Sequence, residues 1–311
     1  LSRAIGRELR PGDEIIVTRL DHDANVSPWL ALQERGVTVR FVDMQVPECT
    51  LDMNDLHRQL TPRTRLVAIT HASNAVGTIP DLAAVSRAAH AAGAWVWVDA
   101  VHYGPHGRID VRAIDCDFLV CSSYKFYGPH QGVLYGRREL LQRLRPYKVR
   151  PSSDEVPTRW ETGTQNHECL AGMLGAFEYL AELGGADRVV RSALEAAMDR
   201  IRSHEQALAA RLIDGLRLIP GIQIYGITAP KQLDCRAPTV SLTWPPHRPE
   251  AVAHWLASHQ VFVTHGDHYA TELMTRLGLV ERGGTLRIGM AHYNTASEVD
   301  LVLELLAGFP G

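Results

Sequence analysis

The sequence predicts an α/β protein: a mostly parallel sheet with helices on both faces, followed by a smaller α+β layer. Three observations carry that prediction. Short apolar runs of buried-strand type alternate with helix-patterned segments through the first half of the 311 residues, as βαβ units require. A double glycine, Gly184-Gly185, interrupts the pattern. After it come one long amphipathic helix and a set of short strands and helices. The length fits two domains or one large one, and the division is expected at 1–184 and 185–311.

In chain order, Ala4, Ile5 and Leu9 space like one helix face, and Pro11-Gly12 stops that helix. Residues 14–18 read as a strand ending at Asp21-His22-Asp-Ala-Asn25, and Ser27-Pro28 opens a helix to about Arg35. Residues 37–42 form the next strand, and 51–60 have helical spacing. A buried strand over 64–70 ends at His71-Ala-Ser-Asn74. Asp81 is expected to cap a helix that runs to Ala92 and closes at Gly93. Strands over 95–99, 118–122 and 132–136 follow, and a basic helix over 137–145 ends the sheet region. The stretch 146–164 is long and irregular; loops of that length in compact domains are usually functional.

Residues 167–183 are helical by pattern. A long helix is expected over 186–216, its apolar residues Val190, Leu194, Met198, Ile201, Leu208, Leu212 and Leu216 serving as core. The small layer reads as strands at 222–225, 239–243, 261–263 and 285–288, with helices at 249–258, 271–277 and 297–307.

Chemistry in an open α/β sheet gathers at the carboxyl ends of the strands. Two runs end there in polar groups: Trp95-Val-Trp-Val-Asp99-Ala-Val-His102, and Phe118-Leu-Val-Cys-Ser122-Ser-Tyr-Lys125-Phe-Tyr-Gly-Pro129. An acid at one strand end and a lysine just past another suit an aldehyde cofactor. The amine forms a Schiff base, and the carboxylate pairs with a pyridinium nitrogen, which keeps the ring an electron sink. Alone, Asp99 would cap a turn and Lys125 would be a solvated loop lysine. Together, with Ser122 three residues before the lysine, they outweigh that plain alternative.

These two runs resemble the class V aminotransferase group of pyridoxal-phosphate (PLP) enzymes, nearest its cysteine desulfurase and selenocysteine lyase branch. The similarity continues in order through Asp21-His22-Asp-Ala-Asn25-Val-Ser-Pro-Trp29, Thr70-His-Ala-Ser-Asn74-Ala-Val-Gly77-Thr78, Glu161-Thr-Gly163-Thr164-Gln-Asn166 and Leu286-Arg287-Ile-Gly-Met-Ala-His-Tyr-Asn294. It covers nearly the whole chain. The resemblance implies the PLP-dependent transferase fold of type I with a seven-stranded-type sheet, an amino-acid substrate and a homodimer with shared active sites. Lys125, Asp99 and His22 are its catalytic set, with His22 stacked on the pyridine ring. His102 lies beside a cofactor oxygen, Ser122 belongs to the cofactor site, and Asn74 donates to the phenolic oxygen or touches the substrate. Thr164 reaches a partner's phosphate; otherwise Thr164 or Asn166 merely caps a turn. Arg287 clamps the substrate carboxylate with its planar fork; otherwise it is a surface ion-pair partner. Tyr124 departs from the histidine usual in cysteine desulfurases.

In the resembled family a Ser/Thr- and Gly-bearing loop leads into the first helix and holds the cofactor phosphate. No such loop precedes Leu1, so the N-terminal segment is expected to be missing. That keeps open an inactive PLP-fold remnant acting as a partner subunit. The loop Val263-Thr-His265-Gly-Asp-His268-Tyr269-Ala270 decides the reaction. Desulfurases of the nearest type place a nucleophilic cysteine where Tyr269 stands, and no cysteine follows Cys235. The reading is C–S or C–Se lyase-like chemistry without the loop thiol, with transamination or epimerisation as the alternative. His265, His268 and Tyr269 are either proton carriers or loop residues without a role.

Composition narrows the partners. A net charge of −3 gives no reason to expect nucleic acid or an acidic membrane. No apolar run approaches transmembrane length, and no signal peptide is expected. The five cysteines form no C-x-x-C pair, so neither a disulfide scaffold nor a metal site is expected, and the reducing cytoplasm is.

Overall fold

The computed structural model describes residues 1–310. The chain begins with α1 (Ser2–Ile5), β1 (Glu14–Thr18), α2 (Ser27–Leu30) and β2 (Thr38–Val42). A small hairpin of β3 (Met44–Gln45) and β4 (Thr50–Leu51) leads to α3 (Met53–Gln59), β5 (Thr64–Thr70), α4 (Leu82–Ala91) and β6 (Trp95–Asp99). Then come α5 (Val111–Ile114), β7 (Phe118–Ser122), β8 (Gly132–Gly136) and α6 (Arg138–Arg143).

The main sheet has the order β2-β1-β5-β6-β7-β8. Its first five strands are parallel and β8 is antiparallel. The seven-stranded expectation is thus corrected to six strands among the described residues. The sequence itself supplies six apolar runs in this region; the count of seven came from the resemblance. Strand side chains alternate with a period of two, and both faces are covered. Ile15, Val17, Leu66, Ala68 and Phe118 pack with Trp29 and Leu144 on one face. Ile16, Val67, Ile69, Val96 and Val98 pack under Leu82, Val85 and Ala89 of α4 on the other. Each such aliphatic burial contributes about 1.5–3 kcal/mol.

α7 (His167–Leu183) and α8 (Arg191–Leu216) follow, with Gly184-Gly185 between them. The first half of α8 packs on α7 through Ala197 and Ile201. Its second half covers the small sheet with Leu208, Leu212 and Leu216. The division at 184/185 is proposed on this break, with α8 shared by both cores. The remaining elements are β9 (Gln223–Tyr225), β10 (Thr239–Thr243), α9 (Pro249–Ser258), β11 (Thr264–Gly266), α10 (Thr271–Leu277), β12 (Thr285–Gly289) and α11 (Ala296–Ala307). Their strands form an antiparallel sheet in the order β11-β12-β10-β9.

Several boundaries differ from the sequence expectation. The first helix ends at Ile5, because Arg7 and Glu8 donate to Ala4 and Ile5 in tighter three-residue turns. The helix expected from Leu51 begins after Asp52, whose side chain caps it by accepting from the Asp55 amide, while Thr50 and Leu51 pair with β3. The long helix starts at Arg191. The strand expected over 261–263 lies at Thr264–Gly266 instead. Register with β12 sets that ladder, and Val261 and Val263 contribute only side-chain packing to the core.

Candidate active site

β5, β6 and β7 end side by side, Thr70 pairing with Asp99 and Asp99 with Val120. Just past these ends lies a cavity of about 310 Å³. His22, Asn74, Asp99, His102, Ser122, Lys125 and Arg287 all line it. These are seven of the eight residues singled out from the sequence. Thr164 is exposed and does not line the cavity of its own chain.

Lys125 stands in the single 3-10 turn that follows β7. Buried Ser123 pins this turn, its amide donating to the Gln131 carbonyl at 2.8 Å and its hydroxyl bonding the Pro129 carbonyl. Gly128 packs against it so closely that an added Cβ would lie 3.0 Å from Ser123 Cβ. The pinned turn leaves the Lys125 side chain exposed at the cavity. Alternation along β7 turns Ser122 to the cavity and Cys121 to an apolar hollow lined by Phe126, Phe177 and Leu180.

Asp99 is 8% exposed, and its Oδ1 accepts from the Val101 amide at 2.9 Å. Burial pushes its carboxyl above the ordinary value, against the pull of that amide and of His22. It has no ion pair among the described residues. Asp117, equally buried, shows the contrast: it is tied to His90, the Val96 amide and Arg137. Asp117 is therefore tied into the fold, whereas the one hydrogen bond of Asp99 among the described residues is that from the Val101 amide.

His22 caps a short turn, its Nδ1 accepting from the Ala24 amide at 3.0 Å. Its proton thus sits on Nε2, and burial holds the ring below the ordinary imidazole value. Tyr269 stacks on it at 5.5 Å and 21°. Asp21 supports the turn from below, accepting from Thr18 and from Asn25 Nδ2. Complete burial pushes Asp21 up to about 7 from 3.8 despite these donors. The folded chain then binds more protons than the unfolded one within that window, so this contribution is fully present below it and is lost as pH rises through it. Asp21→Asn is expected to flatten the fall of Tm between pH of about 4 and about 7. An unchanged slope in thermal melts would exclude Asp21 as its source.

The small sheet closes the other wall. Arg287 of β12 donates through Nη1 to the Asn74 carbonyl at 2.8 Å and through Nε to Thr264 Oγ1 at 3.1 Å. It is half-buried, has no acidic partner among the described residues, and is lowered from the ordinary guanidinium value by burial. Such a cation is an anion site. Asn74 Nδ2 donates to the His268 carbonyl at 2.7 Å, while its Oδ1 is buried without a partner. His102 bonds Thr239 Oγ1 at 3.0 Å through Nε2, and burial together with neighbouring His106 holds it well below the ordinary value. Of the three loop candidates, only His268 lines the cavity; Tyr269 is 71% exposed, and His265 is exposed.

Sequence reasoning missed the support behind His102. His106 packs edge-on to it at 5.2 Å and bonds buried Glu205 of α8 at 2.8 Å. The signal was available, for Glu205 is an acid on the apolar stripe, four residues after Ile201. The Thr285–Ser241 contact beneath His268 carried no such signal.

These features fit PLP. Among the described residues, an exposed amine, a buried carboxylate without an ion pair, an unpartnered amide oxygen and a guanidinium without an acidic partner all meet at one cavity. With the parallel sheet behind them, they define a PLP-dependent enzyme of fold type I. The chain belongs to the class V aminotransferase family, whose profile, described as "Aminotransferase class-V", matches residues 1–302. It is 33% identical to a cysteine desulfurase of Serratia proteamaculans, over 99% of this chain and 73% of that protein. A cysteine desulfurase of Klebsiella pneumoniae is 34% identical over 96% of this chain and 70% of its own length. Among solved structures, the cysteine desulfurase of Thermococcus onnurineus superimposes with a TM-score of 0.87 at 28% identity, covering 99% of this chain and 75% of that one. A cysteine desulfurase of Escherichia coli gives 0.83 at 30% identity, covering 98% and 76%.

Proposed function

We propose that this cysteine desulfurase-like PLP enzyme cleaves the C–S or C–Se bond of cysteine or selenocysteine by β-elimination. The observation that carries the reading is that no cysteine stands at the cavity or in the loop beside it. Tyr269 stands at the loop position where the desulfurase thiol is expected, and none of the five cysteines lines the cavity.

PLP, when held, supplies an electron sink for a bond at the substrate's Cα. Lys125 would be the amine that holds it and the base that takes the substrate's Cα proton. Asp99 would hold the cofactor through its ring nitrogen, and His22 would stack on the ring. Asn74 and His102 would serve the ring oxygen, Ser122 the cofactor site, and Arg287 the substrate carboxylate. When the Cβ–S bond breaks, its electron pair leaves with sulfur as sulfide, and the remaining three-carbon unit is hydrolysed by water to pyruvate and ammonia.

The test is a product assay on protein supplied with PLP and cysteine. Sulfide and pyruvate in equal amounts support the reading. Alanine with a protein persulfide overturns it. A keto acid without sulfide indicates transamination, and loss of α-deuterium without net change indicates epimerisation. A protein that stays colourless with PLP is a remnant, and the enzymatic reading fails.

A homodimer is part of the same proposal. The outer face of α7 exposes Leu170 and Leu174, and the adjacent edge strand β8 exposes Val133 and Leu134. Apolar patches of this kind mark interaction surfaces. Thr164 precedes α7 and is free to reach a partner's phosphate site. Leu174→Glu is expected to convert a dimer to a monomer in light scattering; a wild-type monomer at micromolar concentration would refute the assembly. The proposed compartment is the cytoplasm, since all five cysteines are free thiols. Fewer than five titratable thiols in protein taken from cells would argue against it. No helix among the described residues is long and apolar enough to cross a membrane.

A further inference from the structure

A chain of hydrogen bonds fixes the protonation form of His268. Ser241 Oγ has one proton and donates it to the Ala75 carbonyl at 2.6 Å; a carbonyl only accepts. Ser241 Oγ therefore accepts from Thr285 Oγ1, at 3.2 Å. With the Thr285 proton engaged there, its oxygen must accept from His268 Nε2, at 3.0 Å. Ser241, Thr285 and His268 are all buried. His268 is thereby the Nε2–H tautomer, and its Nδ1 presents a lone pair.

That lone pair has an opening. No protein group among the described residues donates to Nδ1, and Nδ1 is not among the enclosed polar atoms that lack a partner. His268 is 9% exposed and lines the cavity that also holds Lys125 and Arg287, and this cavity is the opening on which the proposal below is built. The backbone holds the ring in place. His268 lies at φ 55°, a region that side-chain-bearing residues seldom adopt, and Asn74 anchors its carbonyl. Burial, with Arg287 nearby, lowers the imidazole to about 4, so it stays neutral at physiological pH.

We propose that His268 is a specificity-determining residue, its Nδ1 accepting a hydrogen bond from a substrate side chain that ends in a proton donor: thiol, selenol or hydroxyl. This rests on the functional reading above, in which Arg287 takes the substrate carboxylate and Lys125 gives way to the substrate amine. An aliphatic side chain of equal size leaves Nδ1 without a donor and binds more weakly. One neutral hydrogen bond of this kind corresponds to a preference of about three- to tenfold.

Two measurements test it. The first is ¹⁵N imidazole NMR on the cofactor-free protein near neutral pH. A neutral ring protonated at Nε2 with a bare Nδ1 is expected; an imidazolium or an Nδ1–H ring overturns the proposal. The second compares serine with 2-aminobutyrate by the spectral change each induces in the PLP-loaded protein. Wild type is expected to prefer serine by about three- to tenfold, His268→Leu to lose that preference, and His268→Asn, whose amide oxygen can accept, to keep part of it. An equal ratio in wild type and His268→Leu overturns it. If the Leu variant does not fold, the wild-type NMR and the Asn variant still decide. The NMR readout needs no cofactor, so a failure of Lys125 to take PLP sinks the functional reading separately.

Discussion

Replacing Lys125 by alanine is expected to abolish the covalent attachment of PLP and to lower kcat by at least about 10³-fold. In the proposed reading the substitution removes both the amine that holds the aldehyde and the base that moves the Cα proton. Stability gives it little cover. Lys125 is exposed and makes no ion pair among the described residues, and surface changes of that kind fall within about 0.5 kcal/mol. Wild-type protein treated with PLP and borohydride should carry the reduced cofactor on the peptide containing Lys125, and the variant should carry none. Adduct on a different lysine, or a variant with near wild-type turnover, would end the assignment.

Asp99→Asn is expected to lower kcat by about 10²–10³-fold, the range seen when one preorganised charge-stabilising group is lost. The amide keeps the shape but cannot neutralise a ring cation. Stability should move the other way. Burial raises the Asp99 carboxyl above its ordinary value, so its contribution is present below the unfolded carboxyl value and is lost as pH rises through the folded one. At neutral pH the buried anion therefore disfavours the cofactor-free fold, and the Asn variant should melt at an equal or higher temperature. This is the trade-off expected where a site is held in a strained electrostatic state for function. If Asp99 were only a turn cap for Val101, the Asn amide oxygen would keep that bond and the variant would keep its turnover. Melting curves and steady-state rates on one preparation separate the two.

Much of the site was legible because its parts sit at strand ends. Asp99 closes a five-residue apolar run, and Lys125 follows another by three residues. Asn74 follows the end of β5 in the same way. Periodicity places such residues on one rim of a parallel sheet without knowledge of the side-chain packing. Register was less legible. Val261 and Val263 look like a strand because their side chains are apolar, yet β12 pairs with the three residues after them. The pairing partner, not the local pattern, decides which residues make a ladder. Glu205 shows the opposite failure, for an acid on an apolar stripe was visible and its partner His106, 99 residues away, was not.

The order of strands and helices, the acid–lysine pair and the lack of a thiol in the loop around Tyr269 were set by the sequence alone, since each depends on neighbours within a few positions. The tertiary structure alone decided that Arg287 bonds the carbonyl of Asn74, 213 residues away, and that His268 is held in one tautomer by Thr285 and Ser241. Hydrogen-bond direction and the closing of two layers over a cavity are properties of convergence in space, and convergence over such separations leaves no periodic trace along a chain.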